Sequence, residues 1–305
     1  MKPSFLCRNC GSAESFIRYD FPEHQRAIRE CRGCRLMVLD PMPTRDELHA
    51  VYNEGYFENE DLTRGDASRV YGYVDYISER IAKQRGYRRI CEQLRKLVRP
   101  ARKPARLLDY GCGLGFCLDA AYDHGFDVEG AEFNAYAREY IRKRYRYPIF
   151  GPEEVAGRGR YDVITMFDVI EHLHEPLETL EELRGVLNDE GVLVLLTMDS
   201  TSIASRVLGK RLEDFRRIRE HLYFFNRANL RSILETKGFE VLKTESIGHS
   251  FEFKLLASRI RAVMPAIGAP IEWLLDAVPF LKRRTIYVNP RTKFIAYSRK
   301  RRDPG

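Results

Sequence analysis

Arg106-Leu107-Leu108-Asp109-Tyr110-Gly111-Cys112-Gly113-Leu114-Gly115-Phe116 is the stretch on which the fold turns. An apolar run enters a glycine-rich turn, and Cys117 to His124 has the composition of a helix, so the segment reads as strand, loop and helix in succession. Glycines let the backbone come close to a ligand, and amides at a helix N-terminus favour a negatively charged group such as a carboxylate. A dinucleotide loop of the form G-x-G-x-x-G needs glycine at position 116, where Phe116 stands, which argues against NAD or FAD.

A second strand, Asp127-Val128-Glu129-Gly130-Ala131-Glu132, ends in an acid 17 residues beyond Gly115. A carboxylate at that strand tip can accept hydrogen bonds from both hydroxyls of an adenosine ribose. The two segments together resemble the class I methyltransferases, in which D-x-G-x-G-x-G closes the first strand and an acid closes the second. The resemblance continues through Tyr161-Asp162-Val163-Ile164 as a fourth strand, Asp168-Val169-Ile170-Glu171-His172-Leu173 after it, and Gly191-Val192-Leu193-Val194-Leu195 as a fifth. It spans roughly residues 107 to 241. It implies an α/β, Rossmann-like methyltransferase fold with a mostly parallel seven-stranded sheet. It also implies S-adenosylmethionine as cofactor: Asp109, Gly111, Gly113 and Gly115 around the methionine part, Glu132 on the ribose, Phe133 flanking the adenine, and Phe167 and Asp168 beneath the reacting end. A third strand is expected near Tyr147 to Phe150, without the Asp-Ala pattern of many relatives. The plain alternative is that Asp109 only forms a turn and Glu132 only a solvated strand edge.

Methyl transfer from a sulfonium is an in-line displacement, so positioning carries most of the catalysis, and an alcohol acceptor also needs a base. Two histidines qualify. His172 follows Glu171 in Asp168-x-x-Glu171-His172, a spacing that puts the three side chains on one face of a helical turn. The cluster resembles the motif of ubiquinone-biosynthesis O-methyltransferases, some of which bind a divalent cation there; Asp rather than Glu at the first position leaves a cation at Asp168, Glu171 and His172 an open question. Glu171 and His172 bracing the helix that begins at Pro176 is the other reading. His221 lies in Arg219-Glu220-His221-Leu222-Tyr223-Phe224-Phe225, before a helix that Asn226 caps, Leu230, Ile233 and Leu234 bury, and Gly238 ends. It ranks beside His172 as a base, with an ordinary hydrogen-bonded histidine as the alternative. Arg206, Lys210, Arg211, Arg216, Arg217 and Arg219 crowd the same insertion, either to hold an anionic acceptor or as a solvated face.

Seven cysteines divide into two C-x2-C pairs, Cys7/Cys10 and Cys31/Cys34, and three scattered residues, Cys91, Cys112 and Cys117. The paired spacing predicts a zinc ribbon with a closed, structural four-cysteine site. Gly11 after the first pair and Gly33 within the second are expected to supply backbone freedom, with a hairpin from Ser15 to Tyr19 and Gln25 to Glu30 between the pairs. Asp40-Pro41-Met42-Pro43-Thr44 reads as a rigid extended connector, Thr44-Arg45-Asp46-Glu47 as a capping box, and the aromatic-rich stretch from Val51 to Tyr76 as a lid or packing element. A helix from Tyr76 to Val98 interrupted by Gly86 completes the approach to the core. The division that results is 1–42 zinc ribbon, 43–104 helical and aromatic lid and linker, 105–248 cofactor-binding core, and 249–305 C-terminal lid or helical insertion with the final strand.

Within that last segment, Leu255 to Leu281 is apolar and edged with arginines and lysines, and Thr292 to Ser298 is the expected last strand. The apolar part reads as a lid, a dimer face or an element lying on a membrane. Glu272 and Asp276 would oppose anionic lipid and Pro265, Pro270 and Pro279 break helical continuity, which favours a lid or partner contact. The 305 residues carry a formal charge of +7, which suits an anionic partner without choosing one. No apolar run reaches the length of a transmembrane helix and no apolar leader precedes Cys7, so a cytoplasmic location is expected. Nothing in the pattern fixes an oligomeric state. The whole layout resembles bacterial enzymes that modify sugars, glycans or secondary metabolites. It implies a small-molecule or carbohydrate acceptor, methylated at oxygen first and carbon second. An RNA or protein methyltransferase is a second reading, and the absence of interleaved aromatic and basic residues on an RNA module argues against nucleic acid. A non-enzymatic zinc adaptor, the third, would be expected to carry a damaged glycine loop.

Overall fold

The computed structural model describes residues 5–52, 80–100, 103–263, 265–278, 280 and 284–301. Most of the aromatic stretch, including Tyr56, Phe57, Tyr71, Tyr73 and Tyr76, lies outside them; Tyr52 lies within.

The N-terminal module is an antiparallel sheet of β1 (Ser15–Phe21), β2 (Arg26–Cys31) and β3 (Met37–Asp40), with Ser15 opposite Cys31 and Ala27 opposite Asp40. The expected hairpin is present, and the third strand adds to it. Next comes α1 (Arg45–Val51), opened by the predicted capping box: Glu47 N–H donates to Thr44 Oγ1 at 3.2 Å and Thr44 N–H to Glu47 Oε2 at 2.7 Å. α2 (Arg80–Leu97) runs unbroken through Gly86, against expectation. A lone glycine costs a helix only about 1 kcal/mol, which the packing of Ile90 and Leu94 against the core outweighs.

β4 (Arg106–Tyr110), α3 (Phe116–Asp123), β5 (Asp127–Ala131), α4 (Ala135–Arg144) and β6 (Ile149–Phe150) form the first half of the core. β7 (Tyr161–Phe167), α5 (Pro176–Val186) and β8 (Leu187–Met198) form the second. β4 to β8 pair in parallel. After β8 come α6 (Ile203–Leu208), α7 (Glu213–Arg216), a two-residue β9 (Tyr223–Phe224) and α8 (Arg227–Thr236), whose cap Asn226 accepts from the amides of Ala228 and Asn229 at 2.9 Å each. β10 (Phe239–Glu252), α9 (Phe253–Val263), α10 (Pro265–Ala277) and β11 (Thr285–Lys300) close the chain. The sheet order is β10-β11-β8-β7-β4-β5-β6, with β11 antiparallel to both neighbours, so the expected mostly parallel seven-stranded sheet is the one observed.

Alternate residues of the central strands feed two apolar layers, as the period of a strand requires. Leu107, Val163, Val192, Val194 and Ile295 face Ile90, Leu94 and Leu118 on one side. Leu108, Ile164, Leu193, Leu195 and Phe294 face Leu180, Leu183, Leu230 and Leu234 on the other, and Ile28, Leu36 and Leu39 of the N-terminal module belong to that same layer. β9 pairs with β3, Met37 opposite Phe224 and Val38 opposite Tyr223, so the module's sheet takes its fourth strand from the insertion after β8.

At the C-terminal end, α10 passes through Pro270, where the sequence predicts a break. Pro270 is the sixth residue of the helix, so the bond that its nitrogen cannot make, to the carbonyl of Ala266, is missing from within the helix while the helix continues on both sides. Among the described residues, no helix is long and apolar enough to cross a membrane.

Candidate active site

The glycine loop leaves β4 at the C-terminal edge of the sheet, where open α/β sheets bind ligands. Gly111, Gly113 and Gly115 all take left-handed φ, at 75°, 53° and 80°. Gly111 is doubly constrained, because an added Cβ would lie 2.4 Å from Cγ2 of Val169, which closes over the loop. Asp109 is buried, and Thr165 of β7 donates its hydroxyl to Oδ1 at 2.7 Å. Burial raises the Asp109 pKa to about 7 against the pull of that hydrogen bond. Thr165 carried a signal in the sequence, as the one hydroxyl inside the apolar run Val163 to Phe167.

Glu132 lies at the tip of β5 with its carboxylate turned into the loop: Oε2 accepts from Gly113 N–H and Oε1 from Asn134 N–H, both at 2.8 Å. Burial pushes its pKa up and the backbone donors pull it down. Each oxygen keeps a second acceptor site, enough for two ribose hydroxyls. Phe133 is exposed and meets His49 of α1 edge-on, ring centroids 4.7 Å apart. Phe167 stacks on Tyr87 of α2 at 5.5 Å. These residues together form a cradle of backbone donors, two buried acids and one exposed ring, that of Phe133, a set that suits an amino acid and a nucleoside joined in one molecule.

Asp168 takes a left-handed φ of 55°, held by its amide on the Leu196 carbonyl at 2.9 Å, and pairs with Lys293 of β11 at 2.8 Å. The single helical turn expected for Asp168, Glu171 and His172 is therefore not the arrangement found. The backbone reverses at Asp168, and Ile170–His172 forms one short 3-10 turn. Glu171 and His172 are instead joined by His221 from 49 residues away: one ligand atom from each lies within 4.8 Å of the others. The rings of His172 and His221 meet edge-to-face at 4.6 Å.

Tautomers follow from the partners. Nδ1 of His172 lies 2.9 Å from the Glu220 carbonyl and 2.7 Å from the Tyr52 hydroxyl; a carbonyl only accepts, so Nδ1 carries the proton and Nε2 keeps its lone pair. His221 hydrogen-bonds the backbone of Asp214, and its Nδ1, fully buried, has no hydrogen-bond partner among the described residues. Burial lowers both imidazole pKa values, His221 further because His172 adjoins it, so both rings are neutral at pH 7. Burial, with the neighbouring Asp168 charge, raises Glu171 to about 8. Tyr52 ties the groups together, since its carbonyl also accepts from Asn134 Nδ2 at 3.0 Å, two residues from Glu132. In the sequence Lys293 carries no signal beyond a charge at the head of an apolar strand. Of the basic insertion, Arg217 is engaged with Glu213 at 3.0 Å and Glu220 at 3.4 Å, whereas Arg206, Lys210 and Arg211 are exposed.

The four cysteines of the N-terminal module converge. Cys7 Sγ lies 3.5 Å from Cys34 Sγ and Cys10 Sγ 3.5 Å from Cys31 Sγ, with all four within 4.8 Å of one another. Zinc–sulfur bonds of about 2.3 Å give a tetrahedron edge of about 3.8 Å, so the set fits zinc. The two knuckles match: Gly11 N–H donates to Cys7 O at 2.8 Å and Arg35 N–H to Cys31 O at 3.0 Å, each from a left-handed residue. The second left-handed position is thus Arg35 and not Gly33; a Cβ at Gly33 would crowd Cys10 Sγ at 3.1 Å, tighter than ordinary van der Waals contact. The module is fastened to the core beside the histidines. Leu39 N–H donates to Leu222 O at 2.9 Å, Leu222 N–H to Glu171 O at 2.8 Å, and Arg8 pairs with Glu175.

The sheet order, the glycine loop and the acid closing β5 define the class as Rossmann-like, class I methyltransferase architecture. A family model described as a methyltransferase domain matches residues 81–244, more than half of the chain, and the chain belongs to that family. It is 29% identical over 147 residues to a probable S-adenosylmethionine-dependent methyltransferase of Mycolicibacterium smegmatis, covering 47% of this chain and 55% of that protein. It is 32% identical over 149 residues to the ubiquinone biosynthesis O-methyltransferase of Cereibacter sphaeroides, covering 45% and 56%. The chain thus spans about half the length of these curated relatives. Among solved structures, the (4+2) cyclase SpnF superposes with a TM-score of 0.50 at 20% identity, over 86% of this chain and 98% of that one, which establishes shared fold only.

Proposed function

We propose that this chain is an S-adenosylmethionine-dependent methyltransferase acting on a small-molecule or carbohydrate acceptor, at oxygen in preference to carbon. The observation that carries the reading is the placing of the Glu132 cradle and the His172–His221 pair at one sheet edge, bridged by Tyr52. The bound cofactor supplies an electrophilic methyl group on a sulfonium. Asp109, Gly111, Gly113 and Gly115 hold the methionine part, Glu132 the ribose and Phe133 the adenine, while Phe167 and Asp168 line the floor. The histidine pair takes the proton that the acceptor hydroxyl loses, on a ring nitrogen that is already unprotonated at neutral pH. The bland roles, a turn former at Asp109 and a core histidine at His221, fit less well, because Asp109 is a buried carboxyl and His221 a buried ring with a nitrogen that has no partner among the described residues. Zinc held by Cys7, Cys10, Cys31 and Cys34 is structural, since four thiolates leave no open position.

Methyl-labelled S-adenosylmethionine incubated with the purified chain and fractionated extract tests the proposal. Label entering small-molecule or glycan fractions supports it, and label in RNA or protein alone would overturn the acceptor class.

One specific observation favours a second reading of the same site. Glu171, His172 and His221 offer one oxygen and two nitrogens at mutual distances that suit a divalent cation, which would lower the acceptor's pKa in place of a free base. Activity that survives exhaustive chelation with the cysteine site still loaded would exclude it.

A further inference from the structure

We propose that the helical arm of α9 and α10 docks on an anionic membrane surface, with α10 lying in the interfacial plane. β11 pairs with β8 from Lys293 opposite Met198 to Arg299 opposite Val192, but with β10 it continues outward to Thr285 opposite Glu252. Met198 is the last residue of β8, so the outer part of the β10–β11 hairpin extends past the sheet at the edge where β8 ends. That is also the edge from which Asp168 and His172 rise. The two helices therefore stand at the end of a two-stranded stalk, on the side of the candidate site.

Among the described residues, α10 is apolar and uncovered. Its only buried residues are Gly268 and Leu275, and Gly268 packs so closely on α9 that a Cβ would meet the Arg261 backbone nitrogen at 2.2 Å. Ile267, Ile271 and Leu274, at i, i+4 and i+7, form one exposed face. Trp273 is 73% exposed and points about 200° away from Ile271 around the helix axis. Phe280, just beyond, is 70% exposed. A helix seated on a second copy of this chain hides one stripe, whereas the exposed apolar side chains of α10 stand on more than one face, and lipid can cover both while the cations are supplied by α9 and by the segment that follows α10. A lone tryptophan among aliphatic residues is also the usual occupant of that interface.

Charge points the same way. From residue 253 to 284 the sequence carries six cations (Lys254, Arg259, Arg261, Lys282, Arg283, Arg284) against Glu272 and Asp276, a net of +4; Lys282 and Arg283 lie outside the described residues. Glu272 pairs with Arg261 at 2.7 Å, so its charge is balanced within the arm and no longer opposes anionic lipid. Two of the sequence-based grounds against a membrane are thereby weakened, since Glu272 is balanced and Pro270 sits inside an intact helix, whereas Asp276 keeps its charge on α10 and continuity does break at Pro265, between α9 and α10. The consequence that an acceptor is met at the membrane plane rests on the methyl-transfer reading above; the docking itself does not.

Trp273 is the only tryptophan in the chain, so its fluorescence reports on the arm directly. The full chain is mixed, without cofactor, with phosphatidylcholine vesicles and with vesicles rich in phosphatidylglycerol. The expected result is a blue-shifted emission and co-flotation on the anionic vesicles, diminished by salt. The Trp273→Glu/Leu274→Glu variant should lose flotation by about tenfold or more while keeping its affinity for S-adenosylhomocysteine. No shift and no flotation would overturn the proposal. So would equal binding to both vesicle types, or self-association that the double variant abolishes without any vesicle binding, which would assign the arm to a second copy. Vesicle binding and cofactor binding are read separately, so failure of one is distinguishable from failure of the other.

Discussion

The backbone amide of Leu39, in the third strand of the cysteine module, donates to the carbonyl of Leu222 at 2.9 Å, one residue beyond His221. Leu222 in turn donates to the Glu171 carbonyl at 2.8 Å, so two consecutive backbone hydrogen bonds join the third strand of the cysteine module to the residues on either side of the histidine pair. Removing the zinc, by chelation or by Cys31→Ser, is expected to lower kcat by about tenfold or more through misplacement of His221. Cofactor affinity, which depends on β4 and β5, should change by less than about twofold. Paired calorimetry and turnover measurements check this, and a parallel loss of both would mean that the module merely keeps the chain folded.

The ring contact of His172 with His221 at 4.6 Å makes the two histidines one unit. Each single alanine substitution is expected to lower kcat by about 10²- to 10⁴-fold, with the double variant little worse than the poorer single one. Fully multiplicative losses would show independent roles. Because both rings have lowered pKa values, the acid limb of kcat/KM should fall below the usual histidine value near 6.5. Tyr52→Phe, which removes the hydroxyl beside His172 Nδ1, should cost about tenfold in kcat and little in cofactor affinity.

How much of this was legible beforehand depended on the range of the interactions. The glycine loop, Glu132 and the four cysteines were readable because each is fixed by short spacing and local backbone demands. The pairing of β9 with β3 was not, since a two-residue strand has no periodicity to recognise. Both histidines could be singled out, but their contact is made by the fold across 49 residues, and the left-handed turn at Asp168 breaks the helical spacing on which the sequence argument relied. Similarly, Arg35 rather than Gly33 takes the strained position in the second knuckle, a choice that composition does not reveal.

Asp109 gives the site a pH dependence with a definite sign. Burial raises its folded pKa to about 7 from an ordinary 3.8, so its contribution to stability is complete below about pH 4 and is lost as the pH rises through 7. Asp109→Asn should therefore flatten the fall in Tm between pH 5 and about 8, by an amount corresponding to about 4 kcal/mol at most. If Asp109 pairs with the cofactor's ammonium group, affinity for S-adenosylmethionine should instead strengthen as the pH rises through that range. An affinity that is flat with pH would detach Asp109 from the cofactor.

The central claim is that Glu132 and the loop from Gly111 to Gly115 grip a methyl-donating nucleoside. Calorimetric titration of the folded, zinc-loaded chain with S-adenosylmethionine and with S-adenosylhomocysteine tests it most directly. Saturable one-to-one binding of both is expected, weakened by about 1 to 3 kcal/mol in Glu132→Ala. Absence of binding heat for both ligands across a range of temperatures, on protein shown to be folded, would contradict the account.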